Sequence, residues 1–135
     1  MRTLLLAFIL STLTGCAMHS DMTNNDFPAI SPVPPPQAMI GFWTGSIGYY
    51  LVTMKFNPDG SGFICSSGNG RDMLQLLKYD GKQVRISDST RTDITRLTRQ
   101  MLVLKVNYFF GATYTMHRDD RLSNAAPYCV QQLTL

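Results

Sequence analysis

The most constraining feature of this sequence is a series of short apolar alternations, separated by Gly, Asp and Asn, that runs from Ile40 to the C terminus. The clearest is Tyr50–Phe56, whose alternating apolar residues have the period of two that is typical of a half-buried strand. Asn57-Pro58-Asp59-Gly60 follows, where Pro fits the second position of a type I turn and Gly accepts a positive φ. Residues 61–66 are then the partner strand of a predicted hairpin.

Further strands are expected at regular intervals along the rest of the chain. The predicted segments are a first strand that opens at Gly41, then 72–78, 83–87, 92–98, 101–108, 110–116 and 128–133. In segment 92–98 the spacing of Ile94, Leu97 and Met101 also fits a helical turn, although the strand is favoured. About eight strands joined by tight turns predict an all-β protein, an antiparallel up-and-down meander that forms a barrel or a sandwich. No segment has the length of a crossover helix, so a parallel sheet is excluded.

Residues 1–15 are predicted to be a lipoprotein signal peptide. Arg2 supplies a positive charge, and the apolar run that follows is far shorter than the roughly 20 residues needed to span a bilayer. The run ends in Leu13-Thr14-Gly15-Cys16, which resembles the bacterial lipobox at all four positions. The resemblance implies cleavage before Cys16 and acylation of that residue, and several acyl chains anchor a protein stably. The alternative is an ordinary secretory signal with a chance Cys.

Residues 16–38 are predicted to be a lipidated Cys and a disordered, Pro-rich linker, followed by the folded domain at 39–135. Pro-rich segments are extended and act as semi-rigid spacers. Ala17 stands where inner-membrane lipoproteins often carry Asp. By the same resemblance, we expect a lipid-anchored protein of the outer membrane, with its domain facing the periplasm or the cell surface.

Three Cys residues divide into one lipidation site and one pair. With Cys16 assigned to lipid, Cys65 and Cys129 remain in an oxidising compartment and are predicted to form a disulfide. A bond that closes a loop of this length stabilises a domain by about 4 kcal/mol in the chain-entropy model. The alternative is two buried free thiols. No metal site is predicted, because no second pair of ligands lies at zinc spacing.

Gly41-Phe42-Trp43 resembles the Gly-x-Trp start of lipocalin barrels. The resemblance implies that Trp43 packs across a closed end of the barrel, paired with an Arg near the last strand. With a last strand expected at 128–133, that position offers only Gln131 and Gln132, and Arg121 lies earlier. Taken whole, the chain resembles the uncharacterised small outer-membrane lipoproteins of Gram-negative bacteria.

The chain is poor in residue types that carry out catalysis. It contains no Glu, and His117 is the only His in the predicted domain. Arg118-Asp119-Asp120 follows His117, so acid–base chemistry or a metal site is conceivable there, but a solvated charged loop is favoured. No nucleophile, zinc or phosphate-loop motif is present. We therefore predict a protein that is not an enzyme and has no catalytic residues and no cofactor.

A net charge of +3 is too mild and too dispersed for a nucleic-acid-binding protein. Basic residues are nevertheless concentrated in the middle of the domain. The candidate ligand or partner surface consists of Trp43, Arg91, Arg96, Arg99 and Lys105. Such a surface would suit an envelope protein, peptidoglycan or lipopolysaccharide, in addition to the membrane contact through Cys16. The alternative is a solvated face that protects sheet edges.

These features favour a non-enzymatic interaction module of the cell envelope. One alternative is a lipocalin-like carrier of a small hydrophobic ligand, which requires a cavity in the barrel. Another is an inhibitor of a lysozyme-type hydrolase. Small lipoproteins with that activity carry a Ser-Gly-x-x-Tyr loop, to which Phe110-Gly111-Ala112-Thr113-Tyr114 is the nearest stretch here, without the Ser.

Overall fold

The computed structural model describes residues 25–107 and 111–135. The strands are β1 (Gly41–Ile47), β2 (Tyr50–Phe56), β3 (Ser61–Gly68), β4 (Arg71–Tyr79), β5 (Gln83–Ile86), β6 (Arg91–Leu97), β7 (Met101–Val106) and β8 (Thr113–Arg118), and helix α1 is Pro127–Leu133. Consecutive strands pair antiparallel, and β8 pairs back with β1 to close a barrel. The predicted all-β meander is therefore confirmed, as a barrel rather than a sandwich. The predicted signal peptide and Cys16 lie outside the described residues.

The β2–β3 hairpin forms as its sequence predicts. The N–H of Gly60 donates to the carbonyl of Asn57 at 3.0 Å, and Gly60 has a φ of +90°. Residues 92–98, whose sequence fits either a strand or a helical turn, belong mostly to strand β6. Its pairing with β7 shifts between Ile94 and Arg96, so the bulge lets both Ile94 and Leu97 pack against the core. This bulge explains why their spacing resembles that of a helical turn.

The strand predicted at 128–133 is wrong, because this segment forms α1. Pro127 lies in the first turn, where its missing N–H removes no helical hydrogen bond. The two buried residues, Cys129 and Leu133, are four positions apart and share one helix face. That face packs on the outside of the barrel against β3 and β4, where a disulfide joins Cys129 to Cys65.

The barrel interior is filled mainly by large apolar side chains. The buried core residues are Met39, Trp43, Val52, Met54, Phe56, Ile64, Leu77, Val84, Ile86, Leu102, Leu104 and Met116. An eight-stranded barrel is just wide enough for side chains to fill it. The core therefore leaves little room for a ligand along most of the barrel axis.

Residues 25–40, here called the strap, run along the outside of the barrel and under one end of it. The strap contains two short 3-10 turns, Phe27–Ala29 and Gln37–Met39. Each turn contributes one buried residue, Phe27 in the first and Met39 in the second. The backbone N–H of Val33 donates to the carbonyl of Tyr79 at 2.8 Å. The prediction of a disordered linker is therefore wrong for residues 25–38, which belong to the folded domain. Within the described part of the chain, no helix has the length and apolar character needed to cross a membrane.

Candidate functional site

Trp43 lies at one end of the barrel, here called the closed end. Its side chain is completely buried, and the indole Nε1–H donates to the carbonyl of Met39 at 2.8 Å. The guanidinium carbon of Arg118 lies 4.1 Å from the centroid of the indole ring. This distance is typical of a cation–π contact, in which the ring face attracts the positive charge. Trp43 therefore packs across the closed end, as the lipocalin resemblance implies.

Arg118 also ties the strap to the barrel. Its guanidinium donates to the carbonyls of Ala38 and Ile40 in the strap, the latter at 2.6 Å, and to the carbonyl of Arg99 at 3.0 Å. Sequence reasoning missed this residue because it placed the last strand at 128–133. The true last strand is β8, whose register puts Arg118 opposite Trp43 on β1. The alternation of Ala112, Tyr114 and Met116 was the sequence signal that could have identified β8 as the last strand and Arg118 as the Arg near its end.

Trp43 cannot be part of a partner surface, because its exposed fraction is 0%. That prediction is wrong for a physical reason. Trp43 is the third residue of β1, and its side chain lies in the barrel core together with that of Met39. Its place in the molecule is structural.

The opposite end of the barrel, here called the cavity end, contains a small cavity of about 180 Å³. Its lining residues are Ile47, Met54, Ile64, Ile86, Thr90, Thr92, Leu104, Val106, Ala112 and Tyr114. Drug-sized ligands occupy pockets of roughly 300–1,000 Å³, whereas an engineered cavity of about 150 Å³ holds benzene. The cavity can therefore take a small apolar group, and it is too small for a whole lipid.

Tyr114 belongs to the cavity lining and is half-buried on β8. The sequence stretch that resembles the inhibitory loop of lysozyme inhibitors therefore directs its Tyr into the barrel rather than outward. Phe110, the first residue of that stretch, lies outside the described residues. The structure gives the inhibitor hypothesis no protruding Tyr at this position.

The four basic residues of the candidate surface are exposed and lie on one outer face of the barrel, here called the basic face. These residues are Arg91 and Arg96 on β6, Arg99 in the turn after it, and Lys105 on β7. Within residues 25–107 and 111–135, Arg96, Arg99 and Lys105 form no ion pair, and Arg91 lies 3.5 Å from Asp26. The structure thus distributes these four predicted residues along one outer side of the barrel, from Arg91 near the cavity end to Arg99 at the closed end, and separates them from Trp43.

Asp93 interrupts the basic face opposite Lys105. Hydrogen bonds from Gln83 and Asn107 lower the pKa of its carboxyl, and the charges of Lys82 and Lys105 lower it further. Asp93 is therefore ionised at neutral pH, and it partly offsets the positive charge at the middle of this face.

Arg85 forms ion pairs that the sequence analysis did not predict. It is buried, and its guanidinium forms ion pairs with Asp26 at 2.5 Å and with Asp80 at 3.3 Å. The hydrogen bond from Arg85 is the main cause of the lowered pKa of Asp26, a residue of the strap. No local sequence signal connects residues this far apart. Arg85 therefore fixes the strap and is unavailable to a partner.

His117 and the acidic residues after it do not converge on a site. His117 is exposed on β8, whereas Asp119 is buried. The carboxylate of Asp119 accepts hydrogen bonds from the Thr44 hydroxyl at 2.9 Å and from the N–H groups of Ser123 and Asn124. It therefore holds the turn that precedes α1. Among the described residues, no group of His, Cys, Asp or Glu side chains is placed to hold a metal ion.

An eight-stranded meander barrel that is closed at one end by a buried Trp beneath an Arg defines a lipocalin-like protein. The chain belongs to the family described as bacterial lipocalin LPS transport optimiser YedD, whose model matches residues 24–133. Membership in this lipoprotein family implies a place in the bacterial cell envelope.

A crystal structure of a lipoprotein YedD from Klebsiella pneumoniae subsp. pneumoniae has a similar fold. Its sequence is 17% identical, the match covers 80% of this chain and 92% of that chain, and the TM-score is 0.58. At this level of identity the likeness shows the fold. No protein among curated sequences matches the chain.

Proposed function

We propose that this protein is a lipoprotein anchored to the outer membrane through Cys16, and that its barrel is a non-enzymatic interaction module that supports lipopolysaccharide transport. The process is suggested by the description of the family, which names an optimiser of that transport. We assign this role to a docking surface on the outside of the barrel.

The observation that best supports binding at the outer surface is that side chains fill most of the barrel interior. Among the described residues, core side chains occupy the interior from the closed end upward, and the cavity at the other end, of about 180 Å³, is much smaller than a lipid. A carrier buries most of its ligand in a preformed pocket. Since the interior offers so little space, the outer surface supports binding better.

The basic face is the best candidate for that surface. Arg96 and Arg99 are exposed, and they have no ion-pair partner within the described residues. Arg presents a planar set of donors that bind phosphate and carboxylate groups in pairs of hydrogen bonds. The face therefore suits an acidic surface of an envelope protein or the phosphates of lipopolysaccharide.

A second candidate function rests on the cavity itself. Its apolar lining and two Thr residues could hold the end of one acyl chain or another small apolar group. This carrier function predicts a bound molecule that is lost when the cavity is filled. It is the weaker candidate because of the cavity's volume.

Site-specific photo-crosslinking in intact cells tests the proposed docking surface. A photoreactive residue is placed at Arg96, and a matched control is placed at Gln131, which is exposed on α1 away from the basic face. We expect adducts at position 96 with lipopolysaccharide or with an envelope protein that handles it, and none of these at position 131. Equal crosslinking at both positions would contradict a docking role for the basic face.

The anchor is tested separately by membrane fractionation of a Cys16→Ala variant. We expect the variant to be released into the soluble periplasmic fraction, whereas the unmodified protein sediments with outer membranes. If the Cys16→Ala variant stayed in the membrane fraction, the lipid anchor would be refuted.

A further inference from the structure

Strand β4 is longer than the strand that follows it in the barrel. β4 has nine residues and β5 has four, and among the described residues the two strands pair at Leu77, Lys78 and Tyr79. On its other side, β4 pairs with β3 from Lys78 as far as Arg71 at the cavity end. Residues 72–76 of β4 therefore have a neighbouring strand on one side, and the opposite side is here called the free edge.

The free edge presents backbone donors that bond to no other described residue. In an antiparallel ladder, each residue directs its N–H and C=O to one side, and successive residues alternate between the two sides. The N–H of Tyr79 donates to the carbonyl of Gly60, just before β3, at 2.8 Å, so the odd-numbered residues of β4 bond toward β3. The even-numbered residues Asp72, Leu74 and Leu76 therefore direct their N–H groups to the free edge. Within the described part of the chain, none of these three groups has a hydrogen-bond partner.

Asn25 ends the ladder between β4 and β5 at Ser87. The N–H of Ser87 donates to the carbonyl of Leu76 at 3.0 Å, which is one of the two bonds that a facing pair exchanges. The second bond would run from the N–H of Leu76 to the carbonyl of Ser87. That carbonyl instead accepts the side-chain amide of Asn25 at 2.7 Å. The free edge therefore begins where a side chain of the strap replaces the next ladder bond.

The side chains along the free edge are mostly apolar. Met73 is 47% exposed and Leu76 is 50% exposed, and residues 73–76 include no charged side chain. Proteins protect sheet edges with charges, Pro residues or bulges. In β4 the pairing with β3 is regular, and the charges stand at the cavity end of the strand, on Arg71 and Asp72. An edge of this kind, with unpaired donors, is a template for a further strand.

A second copy of this chain fits the free edge poorly. Two free edges would share at most five residues from each copy, because β5 occupies this side of β4 beyond Leu76. A stable interface takes about 20–30 residues from each partner. Pairing centred on Asp72 would also place two like charges opposite each other, which destabilises a sheet.

A segment of a different protein is not restricted by this symmetry. It can continue past the tip of β4 while other parts of the same protein contact the barrel elsewhere. The basic face offers such a contact, because Arg91 directly follows the turn at residues 87–90 that borders the free edge. One partner can therefore contact both surfaces.

We propose that the free edge of β4 binds an extended, mainly uncharged segment of another envelope protein, which adds to the barrel as a further strand. Backbone hydrogen bonds to Asp72, Leu74 and Leu76 align the segment, and its side chains pack beside Met73 and Leu76. The added strand continues the barrel wall where β5 leaves it at Ser87. This inference rests on the proposed function as an interaction module, and it gives that module a second docking surface and the kind of partner that the surface accepts.

Amide hydrogen exchange, measured by NMR on the full-length lipidated protein in detergent micelles, tests whether the edge is free. We expect the amides of Asp72, Leu74 and Leu76 to exchange at least about tenfold faster than those of Met73 and Gln75, which bond to β3. Protection of the three edge amides in a monomer would show that the chain's own N-terminal residues cover the edge. Protection in a dimer would show that a second copy covers it. Either result would overturn the proposal.

Photo-crosslinking in intact cells tests the partner. A photoreactive residue replaces Met73, and the chain also carries Asp72→Pro or, as the matched control, Asp72→Asn. Both variants lose the carboxylate, but only Pro removes the N–H that faces the free edge, and it leaves the bonds to β3 in place. We expect an adduct with one envelope protein in the Asp72→Asn chain and a reduction of at least about tenfold in the Asp72→Pro chain. No adduct, an adduct with a second copy of this chain, or an adduct that Pro does not reduce would overturn the proposal.

Two further measurements keep the outcome clear. Circular dichroism checks that the Asp72→Pro chain is folded, and if it is not, Leu76→Pro with Leu76→Ala as its control removes a different donor of the same edge. Crosslinking from Arg96 in the same cells distinguishes the two levels of failure. Adducts at position 96 with none at position 73 refute the free edge alone, whereas no adducts at either position refute the interaction module as well.

Discussion

Replacement of Arg118 by Ala tests whether the closed end is a main source of stability. The variant loses the cation–π contact with Trp43 and leaves the carbonyls of Ala38 and Ile40 without their donor. A cation–π contact contributes about 1 kcal/mol, and a hydrogen bond to a charged group contributes about 1.5–3 kcal/mol. Because these contacts share one side chain and are not additive, we expect a total loss of about 3–5 kcal/mol.

That loss is a large share of the 5–15 kcal/mol that typically stabilises a domain. For a domain of this size it corresponds to a fall in Tm of roughly 12–20 °C. Urea unfolding followed by tryptophan fluorescence is a direct assay, because Trp43 is the only Trp in the chain. The Arg118→Lys variant keeps the charge near the ring but cannot reproduce the planar set of donors, so we expect a loss of about 2–3 kcal/mol.

Arg121→Ala is the matched control. Arg121 is exposed and has no hydrogen-bond or ion-pair partner within the described residues, so its removal should change the free energy of unfolding by less than about 0.5 kcal/mol. If Arg118→Ala cost no more than Arg121→Ala and left the fluorescence of Trp43 unchanged, the reasoning about the closed end would be refuted.

Three further predictions concern the rest of the fold. Replacing both Cys65 and Cys129 by Ser, which removes a crosslink with a sequence separation of 64, should lower the free energy of unfolding in urea by about 4 kcal/mol, and an unchanged midpoint would contradict a stabilising disulfide. In Gly62→Ala the new Cβ clashes with the carbonyl oxygen of Lys55, so the variant should lose about 3 kcal/mol of stability or fail to fold. In Gly70→Ala the new Cβ meets open space, so the variant should lose only about 1 kcal/mol, because residue 70 has a φ of +72°. The urea midpoint should be constant between pH 7 and pH 5 and should fall below about pH 4, because the folded-state pKa is lowered for Asp26, Asp59, Asp80 and Asp93. Stability from such carboxylates is present above their unfolded pKa and is lost as the pH falls through the folded pKa. A midpoint that rises on acidification would contradict this assignment.

The barrel was predictable because its sequence signals are local. The alternation in Tyr50–Phe56 and the Asn57-Pro58-Asp59-Gly60 turn determine a hairpin without help from distant residues. Helix α1 was missed because seven residues are too few to separate the two periods, and Tyr128 and Val130 alternate as they would in a strand. Pro127 was the available sign of a helix start.

The strap was not predictable from its composition. Its Pro residues indicate an extended segment, and that is compatible both with a free spacer and with a segment packed against a sheet. The burial of Phe27 and the ion pair between Asp26 and Arg85 decide between them, and both depend on tertiary contacts. The position of Arg118 over Trp43 was missed in turn because it depends on which strand closes the barrel.

The most direct test of the central claim is the rate at which newly made lipopolysaccharide reaches the cell surface in a strain that lacks this protein. Complementation uses the unmodified chain, a cavity-filled Ala112→Phe variant, and a variant with Arg96 and Arg99 both changed to Ser. An interaction module predicts a slower rate in the deletion strain, recovery with the unmodified and cavity-filled chains, and no recovery when the two Arg residues are lost. An unchanged rate in the deletion strain, or a folded cavity-filled variant that fails to restore it, would contradict the account.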